Sequence, residues 1–246
     1  MKQPECTVNN NTDLHKEEEK HMMTLYTALG TYRMTPDGTP CILSDDQEFA
    51  LDIHELLLWS ILAFRILTYD EIRREFYEKE QDLHIMADTD LDHYLNRLTV
   101  RRLIISGRDE SGMDALYDLF GRLYLKKTPD DLPTKLTAFL DLWLFKRIPF
   151  WKAKAVFERP ALEPLEKKLL RMIDRQLLST AELIQCAVRG RFDIQNSDEL
   201  IDCLYADAET DYKSIVADTR TMDERRPFLS AVANLYLKQR ITLQIL

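Results

Sequence analysis

The chain has 246 residues, 45% of them hydrophobic and 30% charged, so it is too apolar for a disordered protein. Glycine is scarce: there are 6 residues, where average usage would give roughly 17. This composition disfavours glycine-rich nucleotide-binding enzymes and predicts a mainly α-helical fold. The formal net charge is −9, so any nucleic-acid contact must come from a local basic patch.

The four cysteines stand far apart, without the spacing of a disulfide framework or a zinc site. The N-terminus lacks the apolar stretch of a signal peptide. The most apolar run, residues 56–64, has about half the length that a membrane-spanning helix requires. These features predict a cytoplasmic protein without a membrane partner. Cys186 and Cys203 are interpreted as small hydrophobic residues, with a redox-sensing role as the alternative.

In chain order, residues 1–12 are expected to form a mobile tail, and a leading helix is expected to end at Gly30. Pro36, Asp37 and Gly38, between the segments 32–34 and 41–43, predict a turn or a small hairpin. The run from Ser44 to Gln47 reads as a capping box for a first long helix that ends near Arg65. Thr68 to Glu71 forms a second capping box, and a third helix is expected from Asp88–Asp90 to about Arg101. A β-hairpin is expected next, with strands at 103–105 and 113–117.

This order of helix, short step, helix, loop, helix and hairpin resembles a winged helix-turn-helix domain over residues 44 to about 120. The most specific part is the third helix, which runs from Tyr94 directly into the strand at Leu103. Arg102 stands where the family usually has a glycine before that strand. The resemblance implies a three-helix domain that places its third helix in the major groove of DNA and its wing on the flanking backbone.

A domain boundary is expected at the proline- and aspartate-rich stretch 127–133. The predicted organisation is a tail (1–12), a winged-helix domain with a leading helix (13–126), a linker with a connecting helix (127–159) and a helical C-terminal domain (160–246). In that last domain, Thr68 and Glu71 align with Ser179 and Glu182, and neighbouring apolar residues align at the same offset. This alignment predicts a degenerate tandem winged-helix repeat, with chance similarity between amphipathic helices as the alternative. The sequence has no pattern that predicts a second wing. A closing helix is expected over about 223–238, before an apolar end at 241–246.

The candidate DNA-binding residues lie on the predicted third helix and wing, within residues 96–108, which contain four arginines and no acidic residue. They are Asn96, Arg97, Thr99, Arg101, Arg102 and Arg108. Arginine suits phosphate and guanine edges, and the two polar residues could add hydrogen bonds. However, Asp88, Asp90 and Asp92 occupy the helix end that such proteins commonly aim at bases. The alternative is that these aspartates cap the helix while the arginines are ordinary surface; a calcium site is disfavoured because the EF-hand pattern is broken.

The second half differs in charge. Residues 193–211 carry acidic side chains and no basic one, so this region predicts dimerisation or a protein partner, or simply an acidic solvent face. The segment 146–154 interleaves cations with aromatic residues, which suits a packed linker or, alternatively, a nucleic-acid or membrane contact. Neither a catalytic motif nor a metal or cofactor motif is present in the sequence, which predicts a protein that is not an enzyme and has no cofactor.

Two functional hypotheses result. The first is a bacterial-type transcriptional regulator that binds duplex DNA through the N-terminal domain and forms a homodimer through the C-terminal half. The second is a tandem winged-helix interaction module that grips a protein partner in a hydrophobic groove between its halves and does not bind DNA directly.

Overall fold

A computed structural model describes residues 22–35, 40–85, 90–128, 160–207 and 209–245. The helices of this part of the chain are α1 (Ile53–Leu62), α2 (Tyr69–Leu83), α3 (Leu91–Val100), α4 (Gly112–Phe120), α5 (Pro164–Arg175), α6 (Thr180–Val188), α7 (Ser197–Leu204), α8 (Tyr212–Thr221) and α9 (Arg225–Leu237). The strands are β1 (Met23–Ala28), β2 (Thr31–Met34), β3 (Pro40–Ser44), β4 (Gln47–Ala50), β5 (Leu67–Thr68), β6 (Ile104–Asp109), β7 (Tyr124–Lys127), β8 (Leu178–Ser179) and β9 (Ile241–Gln244).

The prediction of a mainly α-helical fold is wrong, because the chain mixes helices with three small antiparallel sheets. The first sheet has the order β5-β1-β6, the second β2-β3-β4 and the third β8-β7-β9. Four of the nine strands precede α1, where the sequence analysis expected a helix and a single hairpin. The fold is therefore an α and β structure whose sheets draw together distant segments of the chain.

Strand β1 replaces the C-terminal end of the predicted leading helix. Its residues pair on one side with β5, where Leu25 faces Thr68, and on the other with β6 over the full strand length. The apolar spacing of Leu25, Tyr26 and Leu29 fits a helix, but two flanking strands satisfy the backbone groups of β1 from both sides. Gly30 follows with φ +85° and connects β1 to β2, so it does not end a helix.

The second sheet occupies the stretch expected to begin the first long helix. The predicted hairpin strands are confirmed, since β2 and β3 pair from Thr31 and Leu43 onwards. Asp45 and Asp46 have positive φ and turn the chain into β4. The capping box of α1 is formed by Asp52 and Glu55, so the prediction of a helix starting at residues 44–47 is wrong. The turn itself favours Asp, which tolerates the left-handed region better than most residues.

The two following helices match the sequence analysis closely. Thr68 and Glu71 form the predicted capping box at the start of α2. Asp90 and Arg101 flank α3, which buries Leu91, Tyr94, Leu95 and Leu98 in a hydrophobic core that it shares with α1 and α2. Capping residues and a 3.6-residue apolar period act within each helix, so these two helices can be predicted without knowledge of the strands that pair elsewhere.

The predicted wing is wrong in its second strand, because residues 112–120 form α4. Ser111 caps this helix by accepting a hydrogen bond from the backbone N–H of Asp114. Since β1 already pairs with β6, a return strand has no free edge of β6 to occupy on that side. Helix α4 instead packs on β6 at Gly107, where a Cβ atom would lie 2.2 Å from the backbone nitrogen of Leu119.

Two units that share part of their element order account for most of the described chain; the first also contains the β2-β3-β4 sheet, and the second also contains α8 and α9. In the first unit (residues 23–109), the central strand β1 precedes α1, the short strand β5, α2, α3 and the closing strand β6. In the second unit (residues 124–244), β7 precedes α5, β8, α6, α7, α8, α9 and β9. The register also corresponds: Leu25 and Tyr26 pair with Thr68 and Leu67, as Tyr124 and Leu125 pair with Ser179 and Leu178. The apolar C-terminal end predicted to pack on a neighbour forms β9, which pairs with β7.

The two units meet through α4 and α9 rather than across an open groove. Tyr236 of α9 is 2% exposed, and its hydroxyl donates to the Ala28 carbonyl and accepts from the backbone N–H of Phe64. A small cavity lined by Trp59, Phe64 and Tyr236 among others remains at this seam. The hydrophobic groove expected between the halves is thus largely filled by an aromatic side chain.

Several predictions fall outside the described residues. These are the tail at 1–12, the turn at 36–38, Asp88, the connecting helix after Pro133 and the basic aromatic segment at 146–154. Most of the predicted linker at 127–159 also lies outside them.

Candidate functional site

The buried carboxylate of Glu55 binds two of the predicted DNA-contacting arginines. Glu55 is 1% exposed and lies in the first turn of α1. One of its oxygens lies 3.2 Å from Nη2 of Arg97, and both oxygens accept hydrogen bonds of 3.2 Å from Nη1 of Arg101. Arg97 also lies 3.4 Å from Asp52. These contacts hold the C-terminal end of α3 against the N-terminal end of α1.

Arg101 makes two further contacts that fix its guanidinium. Its Nη2 donates to the backbone carbonyl of Ala50 at 2.8 Å. Its guanidinium carbon lies 5.4 Å from the ring centroid of Phe49. Since a bidentate contact to a guanine edge or phosphate needs the same donors, Arg101 is already engaged in joining β4, α1 and α3.

The remaining predicted residues do not converge on this cluster. Asn96, Arg102 and Arg108 are exposed, Arg102 with φ +57° after α3 and Arg108 on β6. The Thr99 hydroxyl donates to the Leu95 carbonyl within the same helix at 2.7 Å. The structure therefore joins Arg97 to Arg101 at one carboxylate and leaves two separate arginines in solvent.

The N-terminal end of α3 is acidic on its exposed side. Asp90 occupies the N-cap position and Asp92 follows in the first turn, and both side chains are exposed. The Tyr69 hydroxyl donates to Asp92 at 2.6 Å, and this hydrogen bond, together with burial, raises the pKa of Tyr69 to about 12. A phosphate approaching this end would meet carboxylates, which repel it.

The corresponding region of the second unit is also acidic. Asp198, Glu199 and Asp202 of α7 are exposed, and Asn196 caps the helix by accepting from the backbone N–H of Glu199. Ile201, on the same exposed side, is 53% exposed. The charge pattern predicted for this stretch is therefore displayed on the surface of a short helix.

Glu55, which holds Arg97 and Arg101 together, is not among the residues predicted from the sequence. The sequence does contain a pattern that could have identified it: Asp52 and Glu55 have the spacing of a capping box before an apolar run. Ser44 and Gln47 have the same spacing earlier in the chain. Only the turn at Asp45 and Asp46 and the pairing of β3 with β4 decide between the two.

No group of three His, Cys, Asp or Glu side chains within the described ranges is arranged to hold a metal ion. No helix among those ranges is long and apolar enough to cross a membrane. No protein-family model, curated protein or solved structure matches the chain.

Proposed function

We propose that the chain is a non-catalytic protein-interaction module built from two tandem units of helices and strands, and that it does not read duplex DNA directly. The observation that carries the proposal is the engagement of Arg97 and Arg101 by the buried Glu55 carboxylate. A DNA reader needs these donors free in the groove, whereas here they join elements of the first unit.

Three further features support the proposal. The exposed start of α3 carries Asp90 and Asp92. The predicted wing strand is replaced by α4, which packs inward on β6 at Gly107. The net charge of −9 opposes association with a polyanion. Loss of the wing and repulsion at the helix end both remove contacts on which a winged-helix reader depends.

The test is fluorescence anisotropy with a short random duplex over a salt series. The wild-type chain is expected to show no salt-dependent binding at micromolar concentration. The variant Arg102→Glu/Arg108→Glu removes the two solvent-facing arginines while it leaves the Glu55 cluster intact, and it should behave like the wild type.

Micromolar binding of the wild type, with a log K against log salt slope of several units that falls in this variant, would instead establish the DNA-reading hypothesis. The variant Arg101→Glu alone does not distinguish these outcomes, because it also breaks the contact with Glu55.

A further inference from the structure

Helix α5 carries an exposed basic stripe, defined here as Lys167, Lys168, Arg171 and Arg175. These residues recur at the spacing that places side chains on neighbouring rows of one helix surface. All four are exposed, and none forms an ion pair with a described residue. Lys168 also lies 5.0 Å from the ring centroid of Phe192. The opposite side of α5 is buried through Leu169, Met172 and Ile173, so the stripe is the outward face of a firmly packed helix.

Helix α7 carries an acidic stripe, defined here as Asp198 and Asp202 together with the exposed Ile201 between them. Neither aspartate forms an ion pair with a described residue. The inward side of α7 packs through Cys203 and Leu204. The acidic stripe is therefore also an outward face, without an ion-pair partner among the described residues.

The two stripes are neighbours on the second unit. The side-chain amide of Gln176, just after α5, donates to the carbonyl of Gln195, just before α7, at 3.0 Å. The backbone N–H of Gln195 in turn donates to Glu199 of α7 at 3.0 Å. Leu177, beside this junction, is 50% exposed. These contacts place the C-terminal end of the basic stripe beside the N-terminal end of the acidic stripe, with the exposed Leu177 at the junction.

A surface with adjacent rows of opposite charge complements itself about a two-fold axis. In such an arrangement the basic stripe of one copy faces the acidic stripe of the other, and each contact occurs twice. A partner of uniform charge would satisfy one stripe and be repelled by the other. We infer that the α5 and α7 surface binds a second copy of this chain through these two stripes. The inference rests on the proposed function, because it names the partner for one surface of the interaction module.

The contact should be weak and sensitive to salt, since exposed ion pairs are individually small and are screened. Sedimentation velocity of the full chain at low salt should show a concentration-dependent dimer. At about 1 M salt, where the Debye length is about 3 Å, the dissociation constant should rise at least about tenfold.

Charge reversal provides the decisive test. The variant Lys167→Glu/Arg171→Glu leaves two cations and two carboxylates on the basic stripe, and Asp198→Arg/Asp202→Arg makes the α7 stripe basic. Each change removes the attraction between the two stripes, so each variant alone should be monomeric. An equimolar mixture keeps one attractive pair, the unchanged basic stripe of one variant against the unchanged acidic stripe of the other, and should form a heterodimer weaker than the wild-type dimer. Combining all four changes in one chain should not restore the homodimer.

Matched controls on α2 carry the same charge changes at exposed positions: Arg73→Glu/Arg74→Glu and Glu78→Arg/Asp82→Arg. Both should dimerise like the wild type, and circular dichroism should show that every variant is folded. A wild type that stays monomeric at low salt, or dimers that persist in both stripe variants, would overturn the inference. Neither result would affect the DNA-binding test, so failure here is distinct from failure of the proposed function.

Discussion

At the scale of single residues, Glu55 combines three roles in one buried carboxylate. It accepts a hydrogen bond from the backbone N–H of Asp52, and it contacts Arg97 and Arg101. Glu55→Ala should lower the free energy of unfolding by about 2 kcal/mol, because it removes a helix cap and the carboxylate that pairs with both arginines. The released arginines are partly exposed, which keeps the loss below that of a fully buried pair.

Urea denaturation measures this loss, and Glu55→Gln should lose less because the amide oxygen can still cap α1. Glu48→Ala, on the exposed side of β4, is the control and should change stability little. A loss below about 0.5 kcal/mol for Glu55→Ala would show that the cluster is ordinary surface.

Gly107 is the second residue with a defined physical requirement. A methyl group there would lie 2.2 Å from the backbone nitrogen of Leu119 and 2.4 Å from the carbonyl oxygen of Ala115. Because backbone atoms cannot move aside cheaply, Gly107→Ala should cost about 3 kcal/mol by forcing α4 away from β6. Gly112→Ala is a matched control, since its new methyl group would meet only the flexible side chain of Met23 at 3.3 Å. Equal thermal midpoints for the two variants would contradict the close packing of α4 on β6.

At the scale of elements, corresponding helices of the two units begin with related capping boxes. Glu71 accepts from the backbone N–H and hydroxyl of Thr68, and these hydrogen bonds lower the pKa of Glu71. Glu182 makes the same contacts with Ser179 and also accepts from the Tyr205 hydroxyl at 2.7 Å. Glu182 is 7% exposed, so it is the more deeply buried of the two.

Replacing each glutamate by alanine should therefore have unequal effects. Glu71→Ala should cost about 1 kcal/mol, the usual value of a cap. Glu182→Ala should cost about 2 to 3 kcal/mol, because it also leaves buried hydroxyls without their acceptor. Chemical denaturation of the two variants under one set of conditions provides the comparison. Equal losses would mean that the Tyr205 contact contributes nothing.

The elements that local sequence signals define could be predicted, and those defined by distant pairing could not. Helices α2 and α3 follow from capping residues and apolar period, which act over a few residues. Strand β1 depends on β6, which lies about eighty residues further along the chain. The arginine cluster shows the same limit: the sequence identified Arg97 and Arg101, but only the packing of α1 against α3 shows that Glu55 binds them.

At the scale of the whole molecule, the two units are joined by contacts that cross the seam at several places. Arg220 pairs with Asp109, and Arg225 pairs with Asp114 of α4. Tyr236 reaches from α9 into the first unit, where its hydroxyl also lies 2.7 Å from the Thr27 hydroxyl. Because these contacts connect the hydrophobic cores of the two units, we expect the units to unfold together rather than independently.

Tyr236 makes this junction sensitive to alkaline pH. Burial raises its pKa from 10.0 to about 12, so the folded chain keeps the phenol neutral where the unfolded chain ionises it. The stabilisation is complete below pH 10 and is lost as the pH rises from about 10 to about 12. At about 1.36 kcal/mol per pKa unit, the loss from this residue approaches 2 to 3 kcal/mol.

Tyr236→Phe tests this linkage without relying on absolute stability at high pH. At neutral pH the variant should be less stable than the wild type by about 1 to 3 kcal/mol, because Ala28 and Phe64 lose a buried hydrogen-bond partner. Between pH 10 and 12 the difference should shrink, since only the wild type has the ionisable phenol at the seam. Lysine and arginine titration affects both proteins and cancels in the comparison. Denaturant titrations at pH 7, 10 and 12 measure the difference, and a gap that stays constant would exclude a pH-sensitive contact at Tyr236.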